Sequence, residues 1–216
     1  MHSGLGGGVR TVLRTSVATL YSNLVTRPTG EAVRTAIERQ IEESRAPCLS
    51  ILDFTHVGVL DLSCADEVIA KLLLKYRRPD RPAEVFFVVQ GASEHHRDQI
   101  ESVLERRNLV LVALDRRGPA LLGRTPSRLK EAWQHLDRLG ATAVGQFASE
   151  RGVAEPVANS WLRRLAEWRL AVPDGRTRYA SLGSAIGSGY PVGPGELPGL
   201  AADGGVAGYE EGGAVL

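Results

Sequence analysis

Cysteine is nearly absent: the 216 residues hold two, Cys48 and Cys64, and neither sits in a CxxC or Cys/His ligand spacing. That argues against a disulfide framework and against a zinc site built on thiolates. Long apolar runs are also lacking. No uninterrupted run approaches the roughly 20 residues of a membrane span. The opening MHSGLGGGVR has no apolar core of the kind a signal peptide needs, so the expected location is the cytoplasm, with no membrane partner. The first part of the chain has no nucleophile paired with a base, no metal set and no cofactor loop, and RPTG at 27–30 is too short for a P-loop. Neither an enzyme nor a cofactor is expected. Lysine and arginine vanish altogether from residues 183–216, which hold eleven glycines, three prolines and four acids. A segment of that composition cannot bury enough apolar surface to offset its ordering entropy, so a disordered tail is expected there. Its acidity would either screen the basic segment before it or serve solubility.

What is present fits an ordinary globular chain, 43% hydrophobic and 24% charged, with room for two small domains. The net charge of +1 conceals an uneven distribution. Residues 124–182 carry ten Arg or Lys against six Asp or Glu, a net +4, and the tail carries −4.

The organising stretch is CLSILDFTHVGVLDLSCADEVIAKLLLKY, residues 48–76. Leu49 to Phe54 reads as a buried strand, and Thr55 to Leu62 as a loop. A helix opens at Ser63, with Asp66 and Glu67 in its first turn and apolar residues at Val68, Ile69, Leu72 and Leu73. Before it, VRTVLRTSVATLYSNLV suggests one long or two short strands. TRPTG breaks the chain there, and EAVRTAIERQIEES then sets Ala32, Val33, Ala36, Ile37 and Ile41 on one helical stripe. After it, AEVFFVVQGA reads as a strand, SEHHRDQIESVLERRN as a helix and LVLVALD as another strand. Helices alternating with apolar strands point to an α/β layer with a mostly parallel or mixed sheet, in the order βαβαβαβ.

A strand ending Leu-Asp-Phe, a short loop, Val-Leu-Asp and a Ser at a helix start resemble the central motif of STAS domains, the fold of anti-sigma-factor antagonists. The likeness is closest to a divergent subgroup in which Ser, Ala, Asp and Glu replace the usual Ser-Gly. It covers roughly residues 10–120 and implies a partner-binding or sensing domain over 1–123. In that family a Ser at the first of two adjacent positions before the helix is phosphorylated by a partner kinase. Leu62 stands at that position here, which departs from the pattern, and Ser63 follows it. Asp61, Leu62, Ser63 and Cys64 are therefore the candidate switch or partner-binding residues.

Each of these has a plainer reading beside the functional one. Ser63 reads as a helix cap, or as a phosphorylation site that Asp61 and Asp66 would oppose. Cys64 is a small packed residue, or a thiol acidified by the helix dipole. His95 and His96 are a solvated first turn, or metal ligands without a companion at ligand spacing. Asp53, Asp61, Asp66 and Glu67 could suggest acid/base work or Mg²⁺, but no glycine loop or basic clamp is visible beside them.

Residues 124–182 read as a second domain. TPSRLKEAWQHLDRLG forms a helix ending at Gly140, TAVGQFASERG a second ending at Gly152, and EPVANSWLRRLAEWRL a third with Leu162, Leu165 and Trp168 inward. LAVPDGRTRYASL then makes a hairpin around Pro-Asp-Gly, with Arg176 and Arg178 on its return arm. Three helices, a glycine turn and a basic hairpin resemble a winged helix-turn-helix. That implies duplex DNA as partner, with Asn159, Ser160, Arg163 and Arg164 reaching bases and phosphates from the third helix and Arg176 and Arg178 on the wing. Glu155 at the helix start disfavours phosphate, and a winged helix also serves as a protein-docking module. The expectation is thus a transcriptional regulator with a STAS-like domain. Its alternative is a protein-interaction switch related to anti-sigma-factor antagonists, and either leaves room for a homo-oligomer.

Overall fold

The computed structural model describes residues 9–44, 46–115 and 118–186. Residues 187–216, and with them nearly all of the expected disordered tail, lie outside the described residues. In chain order come β1 (Thr11–Ser16), the single turn α1 (Val17–Leu20), β2 (Asn23–Leu24), α2 (Arg27–Glu43), β3 (Cys48–Asp53) and β4 (Val59–Leu60). A longer helix follows in three pieces, α3 (Leu62–Ala65), a π-helical turn (Asp66–Ala70) and α4 (Lys71–Arg77). Then come β5 (Val85–Gln90), α5 (Glu94–Arg107), β6 (Leu111–Asp115) and β7 (Gly118–Leu122). The last part holds α6 (Ser127–Leu139), β8 (Ala141–Ala143), α7 (Val144–Arg151), α8 (Glu155–Glu167), β9 (Ala171–Asp174), β10 (Arg178–Ser181) and α9 (Leu182–Ala185).

The chain is α/β. Its main sheet has the order β1-β3-β5-β6-β7, with the first four strands parallel and β7 antiparallel to β6. Strands β3, β5 and β6 are apolar almost throughout because both of their faces are covered. Cys48, Leu52, Val85, Phe87, Val89, Leu111 and Ala113 turn toward α2, the π turn, α4 and α5, where Val33, Ile37, Val68, Leu72, Ile100 and Leu104 meet them. The alternate residues Leu49, Ile51, Phe86, Val88, Val112 and Leu114 face the other way and share one apolar cluster with Trp133, Leu136, Phe147, Leu162, Leu165 and Leu170. The result is three layers: helices, sheet, and the α6–β10 unit. The boundary expected at 123/124 falls in the turn between β7 and α6, yet the residues on its two sides bury their apolar faces against each other.

Polar contacts pin the end of α8 to this sheet. Arg169 adopts left-handed backbone (φ 63°) just past the helix. Its guanidinium pairs with Glu84, the residue before β5, and lies 5.4 Å from the Phe86 ring centroid. Arg81 binds the same carboxylate at Oε2. Burial pushes the Glu84 carboxyl up, but the hydrogen bonds from Arg169 and Arg81 outweigh it and hold the carboxyl below the usual range.

Several expectations need correction. The first β-rich stretch is one strand, a helical turn and a two-residue bridge, because β2 finds its partner only in the distant β4. TRPTG does not break the chain: Thr26 caps α2, and Pro28 sits in its first turn, where no N–H is missed. Ala32 is exposed, and Gly30 lies on the buried stripe instead. A Cβ on Gly30 would stand 2.9 Å from Glu67 Cβ and 3.0 Å from Cys64 Cα, so glycine is what lets α2 lie this close to α3. The tail does not begin at Gly183, since Leu182–Ala185 is a helical turn whose Ser184 N–H donates to the Ser181 hydroxyl.

Candidate functional site

At the start of α3 the cap is Asp61, not Ser63. Asp61 has extended backbone, and its carboxylate accepts the Cys64 N–H at 2.9 Å and the Ser63 hydroxyl at 2.6 Å. The Ser63 hydroxyl, helped by backbone N–H groups, holds the Asp61 carboxyl below the usual carboxylate range. Leu62 and Ser63 are the first two helical residues and both are half-buried. Cys64 is buried, and its thiol donates to the Thr26 carbonyl. Burial, with the Asp61 charge behind it, pushes this thiol up, which speaks for the small packed residue over the acidified thiol.

The carboxylates expected near this helix do not act as one group. Asp53 caps its own loop by accepting the Thr55 N–H at 2.9 Å. Asp66 is held by Arg107 of α5 at 3.1 and 3.2 Å. Glu67 is 1% exposed inside the π turn, bonded by Arg27 and Lys71, with Arg34 at 3.5 Å. Burial raises its carboxyl, but the bonds from Lys71 and Arg27 prevail and leave it below the usual range. A basic clamp thus exists where none was legible in the sequence, because Arg27 and Arg107 come from other helices. Arg27, Arg106 and Arg107 line an open cleft of about 610 Å³ that also takes in Asp61, Leu62, Ser63 and Asp66. Among the described residues, no group of three His, Cys, Asp or Glu side chains could hold a metal ion.

The histidine pair divides. His95 is exposed, but His96 is 3% exposed and completes a capping box with Ser93. Its Nδ1 accepts the Ser93 N–H at 3.3 Å, and Nε2 lies 3.4 Å from the Gly58 carbonyl, which fits the tautomer protonated at Nε2. Burial pulls its pKa down, which favours the neutral ring. The spacing from Ser93 to the third helical position carried the signal for this role, with His where Glu or Gln is usual.

The other candidate surface belongs to the α6–β10 unit. Its three strands pair antiparallel in the order β8-β10-β9. Strand β8 went unread in the sequence because three residues carry no periodicity. A left-handed Gly152 (φ 63°) turns α7 into α8. Helix α8 buries Ala158, Leu162 and Leu165 and exposes Pro156, Val157, Ser160, Arg163, Arg164 and Glu167 on the opposite side. Asn159 is half-buried at the margin of that face. The Ser160 hydroxyl donates to the Val157 carbonyl at 2.8 Å, which leaves its oxygen free to accept. Arg163 has no ion-pair partner among the described residues, while Arg164 NH1 stands 3.6 Å from Glu167 Oε2. Arg176 lies exposed in the hairpin turn itself, not on the return arm, and Arg178 opens β10 with Nε 3.6 Å from Asp174 Oδ2.

Trp168 departs from its expected place in the core. It is the C-cap of α8 and only partly buried, because the helix ends one residue before it. Its ring carries two guanidinium groups, those of Arg77 and Arg164, at 5.5 and 5.3 Å from the centroid. Compared with known protein families and with curated proteins, the chain matches none.

Proposed function

We propose that this chain is a cytoplasmic, non-enzymatic regulator in which a STAS-like unit, residues 1–123, is joined to a winged helix that binds duplex DNA. The observation that carries the reading is the α6-β8-α7-α8-β9-β10 order, with Ser160, Arg163 and Arg164 on the open face of α8 and Arg176 at the hairpin tip. A helix of this kind fits the major groove, and a basic hairpin beside it reaches the backbone. Asn159 reads at the edge of that face. Asp61, Leu62 and Ser63 are the proposed contact for a partner of the first unit, with Arg27, Arg106 and Arg107 around them; Cys64, expected beside them, is fully buried and falls out of that surface.

The test is binding of the purified chain to random duplex DNA across a salt series. Each neutralised phosphate contributes about −0.9 to the slope of log affinity on log salt. Arg176→Ala should flatten the slope more than Arg178→Ala, since Arg178 already leans on Asp174. Asn159→Ala should cost about 1 to 3 kcal/mol of preference between sequences with the slope intact. Absence of binding at low salt would end the DNA reading. Protein docking is the second reading, favoured by Val157, 41% exposed on the same face of α8.

A further inference from the structure

The open face of α8 ends at a pair of like charges from different parts of the chain. Arg164 comes from α8, and Arg77 is the last residue of α4, from the first unit. Both stack on Trp168. Other arginines near this end of the sheet have carboxylate partners: Arg78 pairs with Asp80, and Arg81 and Arg169 share Glu84. Among the described residues, the Arg77 side chain has no carboxylate at ion-pairing distance, and its guanidinium donates to the neutral Asn108 carbonyl at 3.3 Å. The nearest acid on the Arg164 side is Glu167, about half exposed and a loose 3.6 Å away. Burial, and next the Arg164 charge, work against the Arg77 cation, and the Glu167 charge offsets part of this. Two guanidinium groups thus share one indole ring, and an incoming anion would be drawn to both.

We infer that Arg77 and Arg164, splinted by the Trp168 indole, form a clamp for one backbone phosphate of the duplex that α8 engages. The inference rests on the duplex-DNA reading and adds a contact from the first unit to it. Stacking on indole holds a guanidinium plane in place while leaving its N–H edge free, and that edge matches the oxygens of a phosphate bidentately. Phosphate suits the surface better than an isolated carboxylate because Ser160, Arg163 and Arg164 continue the row of donors along α8, as a repeating anion requires. Glu167 is the competitor that a phosphate displaces.

The test uses the full chain and a random duplex, with thermal melting recorded for every variant. Arg77→Gln should lower the magnitude of the salt slope by about 0.9, and Arg77→Lys, which keeps the charge, should hold it near the parent value. Glu167→Gln alters an exposed position and should tighten binding several-fold. An unchanged slope in Arg77→Gln, while Arg163→Gln still lowers it, would overturn the clamp and leave the DNA reading standing. Loss of affinity with an unchanged slope and a lowered melting temperature would show that Arg77 is only structural. If Arg77→Gln does not fold, Glu167→Gln decides alone, and no gain in affinity refutes the clamp. Equal binding to polyglutamate would assign the pair to an acidic peptide instead, and a parent without duplex binding would remove both readings.

Discussion

A buried histidine that accepts a backbone N–H cannot take up a proton without breaking that bond. His96 does so at the start of α5, and His135, 8% exposed with its ring 5.0 Å from that of Phe147, accepts Arg138 at Nδ1. Burial lowers both pKa values, with the Arg138 charge adding to it at His135. Each therefore contributes stability that is complete above the unfolded value of 6.5 and is lost as pH falls through the lower folded value. Urea midpoints should drop between pH 7.5 and 5.5, and His96→Gln combined with His135→Gln should flatten that drop; an equally steep drop in the double variant would rule the histidines out. A second expectation at this scale concerns the cap of α3. Asp61→Ala should cost about 1 kcal/mol in urea denaturation, with Ser63→Ala costing less, because the hydroxyl only braces the carboxylate that caps. Both residues are of N-cap type, and only the backbone turn at Asp61 decides between them, so sequence could place this cap but not assign it.

Long elements with clear periodicity and caps were legible: α5 runs from its Ser93 cap to a left-handed Asn108, and α6 stops at Gly140. What escaped depends on partners far away in sequence. Strands β2 and β4 exist only because Asn23 and Leu24 meet Val59 and Leu60, and β7 exists only as a hairpin on β6. The π turn at Asp66–Ala70 holds Glu67 within reach of Arg27 and Lys71, a four-residue spacing in one case and a tertiary contact in the other. The phase of α8 was readable up to Leu165 and failed at Trp168, where the helix ends. Leu165→Ala should accordingly cost about 2 to 5 kcal/mol, and Trp168→Ala less, since its ring is a splint for Arg77 and Arg164 more than a core filler. Denaturant midpoints in the reverse order would put the tryptophan back in the core.

At the scale of the whole molecule, the decisive fact is the second face of the sheet. A sequence with alternating strands and helices shows that β3, β5 and β6 are buried, but not by what. The α6–β10 unit covers Leu49, Ile51, Phe86, Val88, Val112 and Leu114, and Arg169 locks its end to Glu84. Two units that share a core should unfold as one, so calorimetry of the full chain should give a single transition with calorimetric and van't Hoff enthalpies in agreement. A fragment ending at residue 123 would leave those six side chains facing water as one contiguous apolar patch on a sheet face. It should therefore aggregate or bind a hydrophobic dye, and restoring 124–186 in trans should suppress the dye signal. Two separated transitions in the full chain, or a monomeric and cooperatively folded 1–123 fragment, would show that the sheet does not need this cover. The shared core would then be a docking contact between independent domains.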